Sequence, residues 1–246
     1  MVAGETEFQA MRSIAIMNVS MAVGLTAAAL AASAVTLDFS GETVGAEPKT
    51  VVPVVGFWTI GDDGGNKVLV VDGRQWKEGQ ATANIADKAR ALYGERYAEF
   101  LDSVQAYAYF PYAVAQGIDN FTDGQITMRF KPISGRIDQG AGILFNLKPN
   151  GDYLTVRANA LENNLVLWQF VRGKRSSVKW VRNTPTPTGQ WHTLRVTVKG
   201  TNVEGFLDDK PYLQHMLSAP VSGRVGVWSK ADSHMYIDDF RVEPAR

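Results

Sequence analysis

The sequence predicts an all-β protein built as an antiparallel β-sandwich, and three observations predict it. Leu194, Val196 and Val198 alternate with Thr193, Arg195 and Thr197, the period of two that places one face of a strand in a core. From Phe121 onward, short apolar runs are separated by turn chemistry at Pro132 and Gly135, Pro149-Asn150-Gly151, Glu162-Asn163-Asn164 and Gly173, the spacing expected of a sandwich. A chain of 246 residues is long enough to bury a sizeable core, and sandwiches of this size commonly stay one unit.

Taken in order, residues 11–34 have one early cation, Arg12, then an uncharged apolar stretch and an Ala32-Ser33-Ala34 end, the features of a secretory signal peptide. Cleavage after Ala34 is expected, leaving residues 35–246 as the mature domain. A retained membrane anchor fits less well, because Asn18, Ser20 and Thr26 interrupt a stretch that is short for a span of about 20 residues. The acidic Glu5 and Glu7 do not suit the basic start of a signal and point to Met11 as the initiator. Residues 35–39 read as a short strand, the stretch up to Pro53 as a loop, and residues 54–60 and 68–71 as strands around a glycine-rich turn at residues 61–66.

Residues 82–106 depart from this pattern. Ile85, Ala89, Leu92, Tyr93, Tyr97, Phe100, Leu101 and Val104 recur at helical spacing, with Gly94 expected to break the helix, and the aromatic stripe continues through Tyr107, Tyr109 and Tyr112. The simplest reading is a helical insert laid by its apolar face on the sandwich; the alternative is a lid over a ligand groove. Strands are then expected at 125–130, 142–147, 153–159, 165–171, 178–181, 193–198, 223–228 and 235–242. A tight turn falls at Asp208-Asp209, and the stiff connector Thr184-Pro185-Thr186-Pro187-Thr188 lies within the domain.

The Gln190-Trp191-His192 opening, the segment Val203-Glu204-Gly205-Phe206-Leu207-Asp208-Asp209-Lys210 and the close Gly223-Arg224-Val225-Gly226-Val227-Trp228 with Ile237-Asp238-Asp239-Phe240 resemble the concanavalin A-like lectin/glucanase superfamily. Within it they are most similar to secreted bacterial proteins carrying the 3-keto-disaccharide hydrolase domain, related to laminarinase-type enzymes. The resemblance covers residues 121–242 well and the amino-terminal part loosely. It implies a jelly-roll sandwich and a secreted carbohydrate-active protein, a hydrolase or lyase of glycosides and of 3-keto-glycosides in particular. A non-catalytic carbohydrate-binding module and a structural envelope protein are the alternatives, because fold does not fix function. It also implies a structural calcium ion held by Asp38 and Asp238, calcium needing only one or two carboxylates beside carbonyls and waters. The competing reading has Asp238 and Asp239 bonded to turn amides.

Charge and composition exclude several classes. Lys and Arg balance Asp and Glu at 25 each, so no global field argues for nucleic acid or, after signal cleavage, for a membrane surface. Cysteine is absent, so an exported chain is held by its core alone and cannot be a cysteine-anchored lipoprotein; a bacterial periplasm or the medium fits. The histidines at 192, 215 and 234 stand apart with no zinc-ligand spacing, and there is no Gly-x-Ser-x-Gly elbow. Gly140-Ala141-Gly142 lacks the rest of a phosphate loop. The Glu-x-Asp-x-x-Glu strand that places two carboxylates about 5 Å apart in laminarinase-type enzymes is missing, so that catalytic machinery does not carry over.

What remains is a polar face. Leu154 and Val156 pointing inward leave Tyr153, Thr155, Arg157 and Asn159 pointing outward, with Asn146 facing similarly if Phe145 is core. Arginine and asparagine forks beside an aromatic plate suit sugar hydroxyls and sugar C–H faces, and Trp168 and Trp228 are the candidate plates, or core. An exposed Arg157 is expected, one whose loss leaves melting unchanged. Glu162 and His192 are the weak candidates for a catalytic base. Arg172, Lys174, Arg175, Lys179 and Arg182 cluster on one hairpin around Trp180, a patch able to grip an anionic polysaccharide or a nucleic-acid backbone, with a solvated hairpin tip as the simpler reading.

Overall fold

The alternation at residues 193–198 becomes β11 (His192–Lys199), whose side chains are buried and half-buried by turns. The computed structural model describes residues 33–75, 85–98 and 109–245; the expected signal segment at residues 1–34 falls almost wholly outside them. In the sheet that contains β11 the order is β13 (Lys210–Met216), β12 (Asn202–Leu207), β11, β6 (Gly124–Ser134), β15 (His234–Pro244), β4 (Asn66–Asp72) and β3 (Trp58–Asp63), and β1 (Val35–Leu37) pairs with β15 to make eight strands. The second sheet has seven, in the order β10 (Lys174–Arg182), β9 (Asn164–Val171), β8 (Tyr153–Asn159), β7 (Gly140–Leu147), β14 (Arg224–Ser229), β5 (Tyr112–Ala115) and β2 (Val51–Val55). Every pairing is antiparallel.

One apolar layer joins the sheets. Ile126, Met128, Phe130, Leu194, Val196 and Ile237 of the eight-stranded sheet meet Ile143, Phe145, Leu154, Val156, Leu167 and Val227 of the other. A second cluster forms on the outer face of the seven-stranded sheet, where Tyr153, Trp168, Phe170 and Trp228 are covered by Phe110 and by Ala89 and Leu92 of the helix α1 (Ile85–Tyr93). The helical insert therefore does lay an apolar face on the sheet. It is shorter than residues 82–106: a 3-10 turn, Gly94–Arg96, follows α1, with Gly94 at φ 55°, a conformation that ends a helix. Arg224 donates from Nη2 to the Leu92 carbonyl at 2.8 Å, a cation at the helix C-terminus. Phe100, Leu101, Val104 and Tyr107 lie outside the described residues.

The run expected as one strand at residues 54–60 is two. The chain turns at Gly56, where φ is 89° and a Cβ would lie 2.5 Å from that of Pro111, so only glycine fits between β2 and β3. The stretch expected as loop up to Pro53 already carries β2, with Pro53 on an edge strand, the place a sheet tolerates a residue without an N–H. Tyr112, expected on the helical stripe, begins β5.

Candidate functional site

The outward residues of β8 were legible from alternation, and register lays them in rows across the seven-stranded sheet. Gly142, Arg157 and Val166 are cross-strand neighbours, with Trp180 of β10 next in line; Gly140, Asn159, Asn164 and Arg182 form the adjoining row. On the other side Thr155 stands opposite Trp168.

Two glycines make the site possible. A Cβ on Gly142 would lie 2.7 Å from Thr155 Oγ1 and 3.3 Å from Arg157 Cβ, and one on Gly140 would lie 2.9 Å from Asp138 Oδ1 and 3.3 Å from Arg157 Cδ. Their absent side chains leave the bed in which the Arg157 side chain lies. Arg157 is 0% exposed, which corrects the expectation of an exposed side chain: the neighbouring strands and the second apolar cluster enclose it.

Its guanidinium is tied at one end. Nη1 donates to Asn164 Oδ1 at 2.6 Å and to Glu162 Oε2 at 3.3 Å, and Nη2 donates to the same carboxylate oxygen at 3.2 Å. Asn164 Nδ2 donates to that oxygen too, at 2.8 Å. Lys230 bridges the two carboxylates of the site, pairing with Asp138 Oδ2 and standing 3.6 Å from Glu162 Oε1. Asn159 donates to Asp138 Oδ1 at 2.5 Å and accepts from the amides of Leu161 and Glu162, so one side chain holds both the buried acid and the turn carrying Glu162. The loop bearing Asp138 is fixed by Asp232, whose carboxylate accepts the amides of Arg136, Ile137 and Asp138. Ser229 and Ser233 hold Gly140 by its carbonyl and amide.

These contacts set the charges. Burial alone would raise the Glu162 carboxyl, but Arg157, the Asn164 amide and Lys230 outweigh it and hold it below the usual carboxylate value. Burial pushes the enclosed Asp138 carboxyl up, against the pull of Arg157 and Lys230. Burial likewise lowers the Arg157 guanidinium, opposed by both carboxylates.

Around Trp168 the pattern changes. The Arg157 guanidinium stands 5.9 Å from the Trp168 ring centre and that of Arg175 4.1 Å, and the Trp180 ring meets it edge-on at 5.3 Å. Among the described residues three buried N–H groups here, Arg157 Nε, Arg175 Nη1 and Trp168 Nε1, and the buried Thr155 hydroxyl have no hydrogen-bond partner. Next to them Glu162, Asn163, Asn164, Trp180, Arg182 and Asn183 line an open depression of about 500 Å³. Trp180 is 42% exposed, the aromatic face available at its edge.

Trp168 is itself buried, 6% exposed in the second apolar cluster, so it takes the core reading and offers no open plate, and the other expected residues go elsewhere. Trp228 is 0% exposed, roofed by Phe110 at 5.7 Å with its Nε1 donating to Tyr153 Oη, so it supports the sheet and offers no plate to solvent. Asn146 does not share the face of Arg157. It sits at φ 58° beside a register shift in the β7–β14 pairing, and such an irregularity re-aims the side chain, which accepts from the Ser222 amide. His192 is on the opposite sheet with both nitrogens occupied, Nδ1 at 2.8 Å from Asp208 Oδ2 and Nε2 at 3.0 Å from the Pro187 carbonyl. Asp38 accepts from the Ser40 amide, and Asp238 accepts from the Asp239 amide and from Asn66 Nδ2, a side chain far away in sequence. Among the described residues no group of three or more His, Asp or Glu could hold a metal ion.

Sequence reasoning passed over Lys230, gave Asp138 and Asn164 no role beyond a turn or rim, and left Arg175 and Trp180 on a hairpin tip. A usable signal was present in Gly140-Ala141-Gly142: two glycines on one face of a strand reserve room for a bulky neighbour. The hairpin read as a solvated tip folds back instead, Arg175 lying on Trp168 and 5.0 Å from the Phe110 ring centre.

Two facing antiparallel sheets, one carrying this buried polar cluster on its outer face, make the chain a jelly-roll β-sandwich. It is similar in structure to the carbohydrate-binding module CBM66 from Bacillus subtilis, with a TM-score of 0.56 and 12% identity over 81% of this chain and 99% of that one. It is also similar to the apo Crh5 transglycosylase, with a TM-score of 0.52 and 14% identity over 88% of this chain and 86% of that one. No protein-family model matches the chain, and no curated protein matches it.

Proposed function

We propose that this is a secreted carbohydrate-active protein that binds a saccharide on the outer face of the seven-stranded sheet, around Arg157, Trp168 and the depression beneath Trp180. One observation carries the reading: among the described residues, Arg157 Nε, Arg175 Nη1, Trp168 Nε1 and the Thr155 hydroxyl gather around Trp168 with no hydrogen-bond partner, where buried polar groups are as a rule paired. A sugar supplies acceptor oxygens for such donors and an apolar ring face for an exposed indole. The fold is shared with proteins described as a carbohydrate-binding module and a transglycosylase. Secretion rests on residues 11–34.

Recognition is favoured over catalysis, because Asp138 and Glu162 are both engaged by cations and Asp138 is wholly enclosed. A second reading, a hydrolase or lyase of glycosides including 3-keto-glycosides, is supported by Glu162. Its side chain is 35% exposed at the rim of the depression, and its carboxyl is held ionised. The test is a panel of plain glycans and 3-keto-glycosides, scored for both binding and turnover. Binding without turnover is expected; turnover abolished by Glu162→Gln establishes the second reading. Absence of both across the panel sinks the proposal.

A further inference from the structure

Solvent reaches this face at the depression beneath Trp180, and the lining of that depression describes the ligand more closely than "a saccharide". Glu162 offers it one oxygen. Oε2 is taken up, accepting from both Nη atoms of Arg157 and from Asn164 Nδ2. Oε1 accepts no hydrogen bond among the described residues and stands 3.6 Å from Lys230 Nζ, on a side chain 35% exposed at the rim. Asn159 holds the turn by the amides of Leu161 and Glu162, so this acceptor is fixed in place before a ligand arrives. Arg182, exposed at the same depression, has the opposite character. Register sets it across from Asn164, the residue whose amide bonds Glu162. The exposed Asn163 and Asn183, at φ 47° and 60°, add amides that both give and take hydrogen bonds.

An ionised carboxylate accepts and cannot donate, whereas a guanidinium donates and cannot accept. A sugar hydroxyl does both, so the hydroxyls of one ring can satisfy the two, donating to Glu162 Oε1 and accepting from Arg182. Trp180, 42% exposed, supplies the flat face for ring C–H groups. A carboxylate on the ligand would meet the charge of Glu162, which Arg157, Asn164 and Lys230 sustain against burial. An ammonium would meet Arg182, with Arg157 and Lys230 behind the carboxylate. We infer that the saccharide bound here is neutral, one ring lying on Trp180 with its hydroxyls read by Glu162 and Arg182. The inference rests on the saccharide reading above; it names the class of saccharide and makes Glu162 the residue that rejects acidic ones.

Calorimetry on the purified protein tests it with three ligands of equal length: a neutral hexose oligomer, the matching oligouronide and the matching amino-sugar oligomer. The neutral ligand is expected to bind tightest, and the oligouronide about tenfold more weakly, the scale of one charge-assisted hydrogen bond. Glu162→Gln should weaken the neutral ligand about fivefold and bring the oligouronide level with it, because the repelling charge is gone. Arg182→Gln should also weaken the neutral ligand about fivefold, and Trp180→Ala should weaken all three alike. Thermal melts show that each variant is folded, and if Glu162→Gln is not, the exposed Arg182 and Trp180 variants decide. Three outcomes overturn the inference and leave saccharide binding standing: tightest binding by either charged ligand, discrimination that survives in folded Glu162→Gln, or neutral binding untouched by Arg182→Gln and Trp180→Ala. Binding of none of the three ligands removes the saccharide reading and this inference with it.

Discussion

The two sheets solve the problem of their outer faces in opposite ways. On the eight-stranded sheet the face away from the core stays half-exposed, and three of its cations pair with acids: Arg129 lies 3.3 Å from Asp239, Lys131 2.5 Å from Asp63, and Arg241 2.8 Å from Glu243. The Arg129 guanidinium also lies 4.8 Å from the Trp191 ring centre, and Arg195, which pairs with no acid among the described residues, lies 3.7 Å from that of Phe206. On the seven-stranded sheet β8 is buried along its whole length, both faces included, and the charges it encloses are only partly balanced. Exposed ion pairs are worth about 0–1 kcal/mol because water screens them and frees their side chains. Enclosed groups have no such relief, so an unmatched donor there is either a cost to folding or the imprint of a ligand. The comparison teaches where function is to be sought: on the face where polar groups have been buried before all of them are satisfied.

The sharpest way to break the comparison is to delete matching arginines. Arg157→Ala is expected to cost about 3–5 kcal/mol in urea unfolding, because it leaves Glu162 and Asp138 facing Lys230 alone and empties the bed over Gly140 and Gly142. Arg129→Ala on the other sheet should cost less than about 1 kcal/mol. Similar losses for the two would show that the faces are energetically alike.

Next in size is a pair of tryptophans. Trp228→Ala should cost about 3–5 kcal/mol, since the ring is enclosed by Phe110 and Phe170. Trp191, half-buried beneath two cations, should cost clearly less. Thermal unfolding of both variants gives the ranking, and a larger loss at Trp191 would reverse it.

Gly142→Ala sharpens the comparison more finely. The new methyl would sit 3.0 Å from the Val156 carbonyl as well as against Thr155, and overpacking of that kind costs about 1–3 kcal/mol. It should also weaken saccharide binding by displacing Arg157, so an unchanged affinity would argue that Arg157 does not shape the site.

The smallest effect is in acid. Glu162 has a folded pKa below its ordinary 4.5, so its contribution to stability is complete above that value and is lost as pH falls through the folded one. Asp138 is shifted upward by burial, and its contribution has the opposite sign, present below 3.8 and lost as pH rises. Stability measured from pH 6 down to about 3 should therefore fall less steeply in Glu162→Gln than in the parent. A steeper fall would mean that the carboxylate is not held ionised.

Much of the fold was legible because alternation is a local signal. The β8 boundaries at 153–159, the outward set Tyr153, Thr155, Arg157 and Asn159, and the turns at Gly64-Gly65 and Asp208-Asp209 all follow from residues close in sequence. The site was legible only in part. Arg157, Asn159, Glu162 and Trp168 could be named, yet their partners Asp138 and Lys230 come from loops far away in the chain, and no pattern in sequence brings them to one point. Asn146 was misplaced because a single positive φ overrides alternation.

By itself, then, the sequence determined which residues face in and which face out along each strand, because side-chain direction there has a fixed period of two. Only the tertiary structure decided that "out" on β8 means enclosed. That depends on what Phe110 and α1 lay across the seven-stranded sheet, and the desolvation they impose turns an ordinary row of polar side chains into an unsatisfied cluster around Trp168.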